Sequence, residues 1–317
     1  MNLRYPLYYF VTMDLPSKLA SIPTPKYRIS TITATGSVNT EINLDMFYDA
    51  LSICDNDNDA GVVYVEYGKK KLDTVYKGFS KKFLVNKRKE SSTTKRFDNQ
   101  VTIVYRINED NYQSLLNIKV FKNGNVQITG IKYIEQGSLM VDKIIDILNK
   151  VYLNNSNIIK CHKSMTNKNY KVRLINSDFR IGFPIKREHL FKVFTTNFDN
   201  DCSFEPCIYP GVKIQYLSNK YKSCQDGLCH CAKPCIVGKG NGKEEGSCKK
   251  ITIAVFQSGC VIITGAQNHE QINEAHNFIT TILTKYRSEV ETKVVAAPDT
   301  APKRKIVLIN KKNIIYP

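Results

Sequence analysis

The chain contains no tryptophan and only five histidines among 317 residues, and acids are scarce: 29 Asp and Glu stand against 46 Lys and Arg. No run approaches the ~20 consecutive apolar residues that a bilayer-crossing helix needs. The apolar start, Leu3 to Val11, is interrupted by Pro6 and followed by Asp14 with no small-residue cleavage site, so no secretory signal is expected. The histidines form no pattern with carboxylates, and neither HExxH nor GxSxG occurs, which removes the common metalloprotease and serine-hydrolase readings. GKGNGK at 238–243 is not a phosphate loop: Val237 stands where the first glycine is needed, and Glu244 replaces the Ser or Thr. No His-x-Glu pair exists for zinc-deaminase chemistry. The chain is therefore expected to bind and not to catalyse.

What is abundant is positive charge. A net +17 favours a polyanionic partner, nucleic acid over membrane. Two stretches concentrate it: Glu66 to Arg96 has eleven Lys and Arg against three acids, and Lys293 to Lys312 six against one. Neither has apolar periodicity, so both read as solvated segments able to add counterion-releasing contacts to a bound duplex. The wealth of Asn, Lys and Ile suits an A·T-rich coding genome.

The organising feature is an internal repeat. Residues 118–130 read IKVFKNGNVQITG and residues 253–265 read IAVFQSGCVIITG, with an offset of 135 throughout. Each is an alternating apolar run, a glycine turn and a second alternating run, the pattern of a β-hairpin. Helical periodicity follows in both copies, over Ser138 to Val151 and Gln271 to Tyr286. Upstream, strands are expected at Tyr27 to Val38 and Tyr170 to Ile181. Helices are expected at Leu44 to Leu51, capped by Asn43, and at Ile185 to Phe194. A further strand precedes each hairpin, Val101 to Ile107 and Val212 to Leu217. Strand, helix, three strands and helix, twice over, make an α+β layer.

These words occur in order: Lys95-Arg96-Phe97 before a strand ending Tyr105-Arg106-Ile107, VFKNG and QITG, then FPIKREHL at 183–190, FEPCIYPG at 204–211, VFQSG and IITGAQ. As a set they resemble the TATA-box-binding-protein family across residues 27–286. The resemblance implies two tandem pseudo-repeats, each a curved antiparallel sheet with helices on the convex face. It divides the chain into an arm (1–26), a first repeat (27–152, basic insert 52–94), a linker (153–169), a second repeat (170–287, Cys-rich insert 219–250) and a basic tail (288–317). The function implied is a basal transcription factor that binds and bends promoter DNA through the minor groove. The alternative is a scaffold of the same fold that has lost bending. A large DNA virus suits the divergent loops and inserts.

Residue by residue, the resemblance makes Phe97, Phe121, Tyr209 and Phe256 the wedges that open base steps. Thr129 and Thr264 are groove-floor threonines, and Lys95, Arg96 and Arg106 phosphate contacts, with Gln215 in place of the partner of Arg106. The family's central asparagines become Thr31 and Leu174, with Asn176 able to substitute. Glu205 matches a contact for transcription factor IIB, so that factor and RNA polymerase are implied partners of a monomeric chain. Its place would be a nucleus, or a viral factory or virion.

Five of the ten cysteines, Cys224, Cys229, Cys231, Cys235 and Cys248, fall within 25 residues. That clustering points to a metal ion over disulfides. A structural zinc held by Cys224, Cys229, Cys235 and Cys248, with Cys231 as alternate, is expected to fold a loop lacking its own core and to form a knob near the DNA-binding edge.

Overall fold

A computed structural model describes residues 25–292 except 57, 69–73, 79–98, 110–111, 223 and 237–238. Among the described residues the first repeat holds six strands, β1 (Arg28–Ser37), β2 (Gly61–Gly68), β3 (Thr74–Gly78), β4 (Gln100–Glu109), β5 (Tyr112–Phe121) and β6 (Asn125–Ile131). Its helices are α1 (Leu44–Ala50) and α2 (Ile134–Asn154). The second repeat holds β7 (Lys168–Arg180), β8 (Cys202–Glu205), β9 (Tyr209–Ser218), β10 (Lys249–Val255) and β11 (Cys260–Ala266). Its helices are α3 (Arg187–Asn197), α4 (His269–Lys285) and the short α5 (Arg287–Val290).

The described strands join one sheet in the order β3-β2-β4-β5-β6-β1-β7-β11-β10-β9-β8. The described pairings are antiparallel, and β1 against β7 is the seam between repeats. Burial alternates along the strands, the period-2 consequence of a sheet covered on one side. Ile32, Ala34, Ile128 and Ile131 pack under Met140, Val141, Ile144 and Leu148 of α2, and Ile253, Val261 and Ile263 under Ile272, Ala275 and Ile279 of α4. The fold is α+β, with the helices on one face and the other face open.

Both hairpins close by the same turn. The Gly124 amide donates to Phe121 O and the Gly259 amide to Phe256 O, each at 2.9 Å. These glycines sit at φ +80° and +75°, and a Cβ would lie 2.1 Å from Thr40 O or 2.2 Å from Phe183 O. Any other residue is therefore excluded by strain and by backbone overlap. The cap expected at Asn43 is present, its Oδ1 accepting from the Met46 amide (3.2 Å); α4 starts two residues earlier than expected and is capped by Asn268, whose Oδ1 accepts from the Gln271 amide (2.9 Å).

Three boundaries differ from expectation. The insert 52–94 contributes β2 and β3, so part of the basic stretch is sheet; β2, β3 and β8 all lie outside the expected set of strands. Residues 153–169 are anchored, with Ile158 and Ile159 buried and Ile159 bridged to Ile42. The second repeat continues past 287: Val290 is buried and Glu291 bridges Ile185. The arm to residue 24 and the tail from 293 lie outside the described residues.

Candidate nucleic-acid interface

Because strand residues two apart share a face, the register defines rows of side chains across the open side. One row runs Val104, Asn117, Thr129, Thr33, Leu174. Its counterpart runs Gln215, Thr252, Thr264, Asn176, Thr31. The rows repeat each other about the seam, with Thr33 equivalent to Asn176 and Leu174 to Thr31. Thr264 Oγ1 donates to Asn176 Oδ1, Thr252 Oγ1 to Gln215 Oε1 at 3.0 Å, and Thr129 Oγ1 to Asn117 O at 3.4 Å. Thr31 Oγ1 accepts from the Gly130 amide at 3.2 Å. Thr31, Asn176, Thr129 and Thr264 are therefore brought together around the sheet centre, all half-buried.

A second row lies one step farther out: Thr102, Lys119, Gln127, Thr35 in the first repeat, and Lys213, Ala254, Ile262, Asp178 in the second. Beyond it stand the aromatics. Phe121 is half-buried at the end of β5. Phe256 and Tyr209 are half-buried and touch, ring centroids 5.7 Å apart and tilted by 60°. Lys213 Nζ sits 4.2 Å over the Tyr209 ring, and burial pushes the Tyr209 phenol above its ordinary value. Each hairpin thus presents an aromatic at its turn on the face that carries the threonines. Phe97, with Lys95 and Arg96, lies outside the described residues.

Arg106 requires a correction. It is 7% exposed, and its Nε donates to Asp59 O at 2.9 Å while Nη2 reaches Asn56 O and, at 3.7 Å, Cys54 Sγ. A guanidinium held by loop carbonyls is not offered to a phosphate. Nor is Gln215 its counterpart: Gln215 faces Thr252, the equivalent of Asn117, whose partner is Val104. Basic residues that sequence reading missed do line the face, among them Lys119, Lys171, Arg173 and Lys213; Arg173 Nε donates to Thr35 Oγ1 at 2.7 Å. The signal was available, since Lys119 lies two residues before Phe121 on the same strand face. Asp178, an acid on this side, is paired with Arg28 at 2.9 Å.

The cysteine insert is likewise rearranged. Cys229, Cys231, Cys235 and Cys248 group their sulfurs within 4.8 Å of one another, a set that could hold a metal ion. Cys224 is not part of it; it lies with Asp226 and His230, donating to Asp226 Oδ2 at 3.2 Å. The Cys231–Cys248 and Cys229–Cys248 sulfur distances are 3.5 and 3.7 Å. A tetrahedron with Zn–S bonds of ~2.3 Å has an edge of about 3.8 Å, so the spacing fits. Polar groups turn toward the sulfurs: the Gly246 amide to Cys231 (3.3 Å), the Cys248 amide to Cys235 (3.4 Å) and Asn219 Nδ2 to Cys248 (3.5 Å). The backbone amide of Cys231 leads the set of bonds that lowers the Cys229 thiol pKa, while burial raises those of Cys235 and Cys248. A buried thiol reluctant to ionise alone is one that a cation would convert to thiolate.

The insert does not flank the open face. Ser218 Oγ donates to Glu274 Oε2 of α4 (2.7 Å), Gln271 Nε2 of α4 to Asn241 O (3.0 Å), and Asn200 Nδ2 to Asp226 O (3.0 Å). It leaves β9 at the end opposite Tyr209 and folds onto the helical side. The β8–β9 turn, by contrast, is exposed: Glu205 leads into Pro206, Cys207 and Ile208, the last 79% exposed.

Comparison with known proteins supplies the context. Residues 169–286 match the family described as "Transcription factor TFIID (or TATA-binding protein, TBP)". A TATA-box-binding protein-like protein of Acanthamoeba polyphaga mimivirus is 30% identical over 270 residues, 83% of this chain and 66% of the relative. The TATA-box-binding protein of Acanthamoeba castellanii is 25% identical over 207 residues, 65% of this chain and 60% of that one. The chain thus spans about two thirds or less of these relatives' lengths. Methanococcus jannaschii TBP aligns structurally with a TM-score of 0.46 at 16% identity, covering 82% of this chain and 99% of that one.

Proposed function

Since this chain belongs to the TATA-box-binding-protein family, we propose that it is a transcription initiation factor that binds and bends promoter DNA through the minor groove, without catalysis. One observation carries the reading: both hairpins set a half-buried aromatic at the end of a threonine-bearing open face, in two copies about the seam. Phe121 and the Tyr209–Phe256 pair enter base steps; Phe97 and Lys95-Arg96, outside the described residues, keep the wedge and phosphate roles that the family resemblance gives them. Unstacking costs a few kcal/mol per step, offset by the added contact that bending permits. Thr129, Thr264, Thr31 and Asn176 meet the groove floor, and Lys119, Lys213 and Arg173 the phosphates.

The four-cysteine cluster holds one structural zinc that fixes the insert onto α4; its role is folding, since the loop has little apolar core of its own. Glu205 and the exposed turn beside it take a transcription factor IIB-like protein, which recruits RNA polymerase to a single copy of the chain. Likeness to a mimivirus protein supports a large DNA virus as source, and a viral factory or virion as location in place of a cellular nucleus. Among the described residues no helix is long and apolar enough to cross a membrane.

End-to-end energy transfer on A·T-rich duplexes tests the reading: salt-sensitive binding with a bend supports it. Binding without a bend would favour the scaffold reading, for which the sequestered Arg106 and the apolar Leu174 at the sheet centre speak.

A further inference from the structure

Resting on that minor-groove reading, we propose that the two repeats read different base pairs: the first accepts a G·C pair beside its wedge, and the second requires A·T. In the rows nearest the sheet centre the middle three residues match in character, Asn117, Thr129 and Thr33 against Thr252, Thr264 and Asn176, and only the ends differ. The rows beside the wedges do not match. Where the first repeat has Lys119, Gln127 and Thr35, the second has Ala254, Ile262 and Asp178. Gln127 and Ile262 occupy equivalent positions, two residues before Thr129 and Thr264 on the same strand face.

In the minor groove, A·T and T·A present acceptors only, whereas G·C adds the guanine N2 amino donor. Gln127 has a carbonyl oxygen to accept from that amino group, and amide hydrogens, with the Lys119 ammonium, to donate to adenine N3 or thymine O2. The first repeat is therefore tolerant, meeting either pair with a partner. Ile262 and Ala254 have no side-chain acceptor. A guanine amino group pressed onto Ile262, with Ala254 buried beside it, loses its water and gains nothing, the case in which burying a polar group is costly. The remaining acceptor in that row, the Asp178 carboxylate, is ion-paired with Arg28, whose single Nε hydrogen is shared between its two oxygens at 2.9 and 3.2 Å. The site is thus asymmetric although the fold repeats.

The test uses full-length protein and three sets of duplexes: A·T throughout, one G·C pair between the kinked step and the centre at one end, and one such pair at both ends. With one end substituted, the protein turns so that Gln127 meets the guanine, and affinity stays within about threefold of the all-A·T duplex. With both ends substituted it falls roughly 5- to 150-fold, the ordinary cost of one mismatched pair. Gln127→Ile makes the one-ended duplex as poor as a mismatch, and Ile262→Gln rescues the two-ended one. A wild-type protein that already loses fivefold or more on the one-ended duplex, or loses nothing on the two-ended one, overturns the inference. The bend of the all-A·T duplex is measured alongside. A bend with equal G·C costs at both ends removes the asymmetry alone, whereas no bend and no A·T preference removes the minor-groove reading with it.

Discussion

Replacing Phe121 by alanine separates a ring that enters DNA from one that holds the protein together. Phe121 is half-buried, and no ring contact to it occurs among the described residues. Half of a full burial worth of ~1.5–3 kcal/mol leaves about 1 kcal/mol of stability at stake, or about 2–4 °C of melting temperature. Phe256 also loses its contact with Tyr209, adding ~0.5–1.5 kcal/mol, so Phe256→Ala is expected to melt a few degrees lower still. Phe47, fully buried under the first repeat, is the control: its removal costs about 3–5 kcal/mol. In the complex the order reverses. A half-buried ring passing into a base step gains the remaining half, about 1 kcal/mol, so Phe121→Ala and Phe256→Ala should weaken binding by up to about one decade and reduce the bend. Calorimetric melting and the energy-transfer bend, measured on the same preparations, decide the matter. If Phe121→Ala melts as low as Phe47→Ala while the bend is unchanged, the ring is core and the open face loses its assignment.

Cys231→Ser should abolish a stoichiometry of about one zinc per chain, whereas Cys224→Ser should retain it; elemental analysis of freshly reduced protein reads both, and the opposite pattern would restore the ligand set expected from spacing. Arg106→Ala should cost about 1–3 kcal/mol by stranding loop carbonyls, yet leave the salt dependence of DNA binding unchanged, while Lys213→Ala lowers that slope by about one. The Tyr170 hydroxyl donates to Ile134 O at 2.6 Å, and burial pushes its pKa up to about 12. A raised pKa favours the protonated folded state, so this contribution is complete below pH ~10 and declines as the pH climbs toward 12. Denaturant melts across that window should show a shallower alkaline loss in Tyr170→Phe.

Local signals placed the elements well because each was over-determined. The Phe-x-x-Gly turns combine alternation with a glycine that a Cβ would drive into Thr40 or Phe183. Strands β2 and β8 were less legible: the first, GVVYVEYG, carries no lysine but sits in an insert dominated by the basic stretch beginning at Glu66, and the second is four residues long, too short for a period to register. Arg106 has the parity of an open-face residue, and nothing in its neighbours reports that a loop fifty residues earlier folds over it. The metal set turned on Cys231 against Cys224, a choice made by backbone geometry around Gly246 and Asn219 that spacing does not encode. The insert's side of the sheet was also hidden, because Ser218 and Gln271 are ordinary polar residues until α4 is placed beside β9.

The seam between β1 and β7 has the form of a two-fold homodimer contact made within a single chain. In an isologous interface every contact occurs twice, and a substitution on one subunit is imposed on the other. Here the same contact appears once as Thr31 against Asn176 and once as Thr33 against Leu174. Covalent fusion has released those twins from each other, so a polar pair persists on one side of the axis while a leucine enters on the other. A homodimer could not make that change without placing two leucines at its centre. The fused chain can therefore drift in one repeat while the other keeps its chemistry.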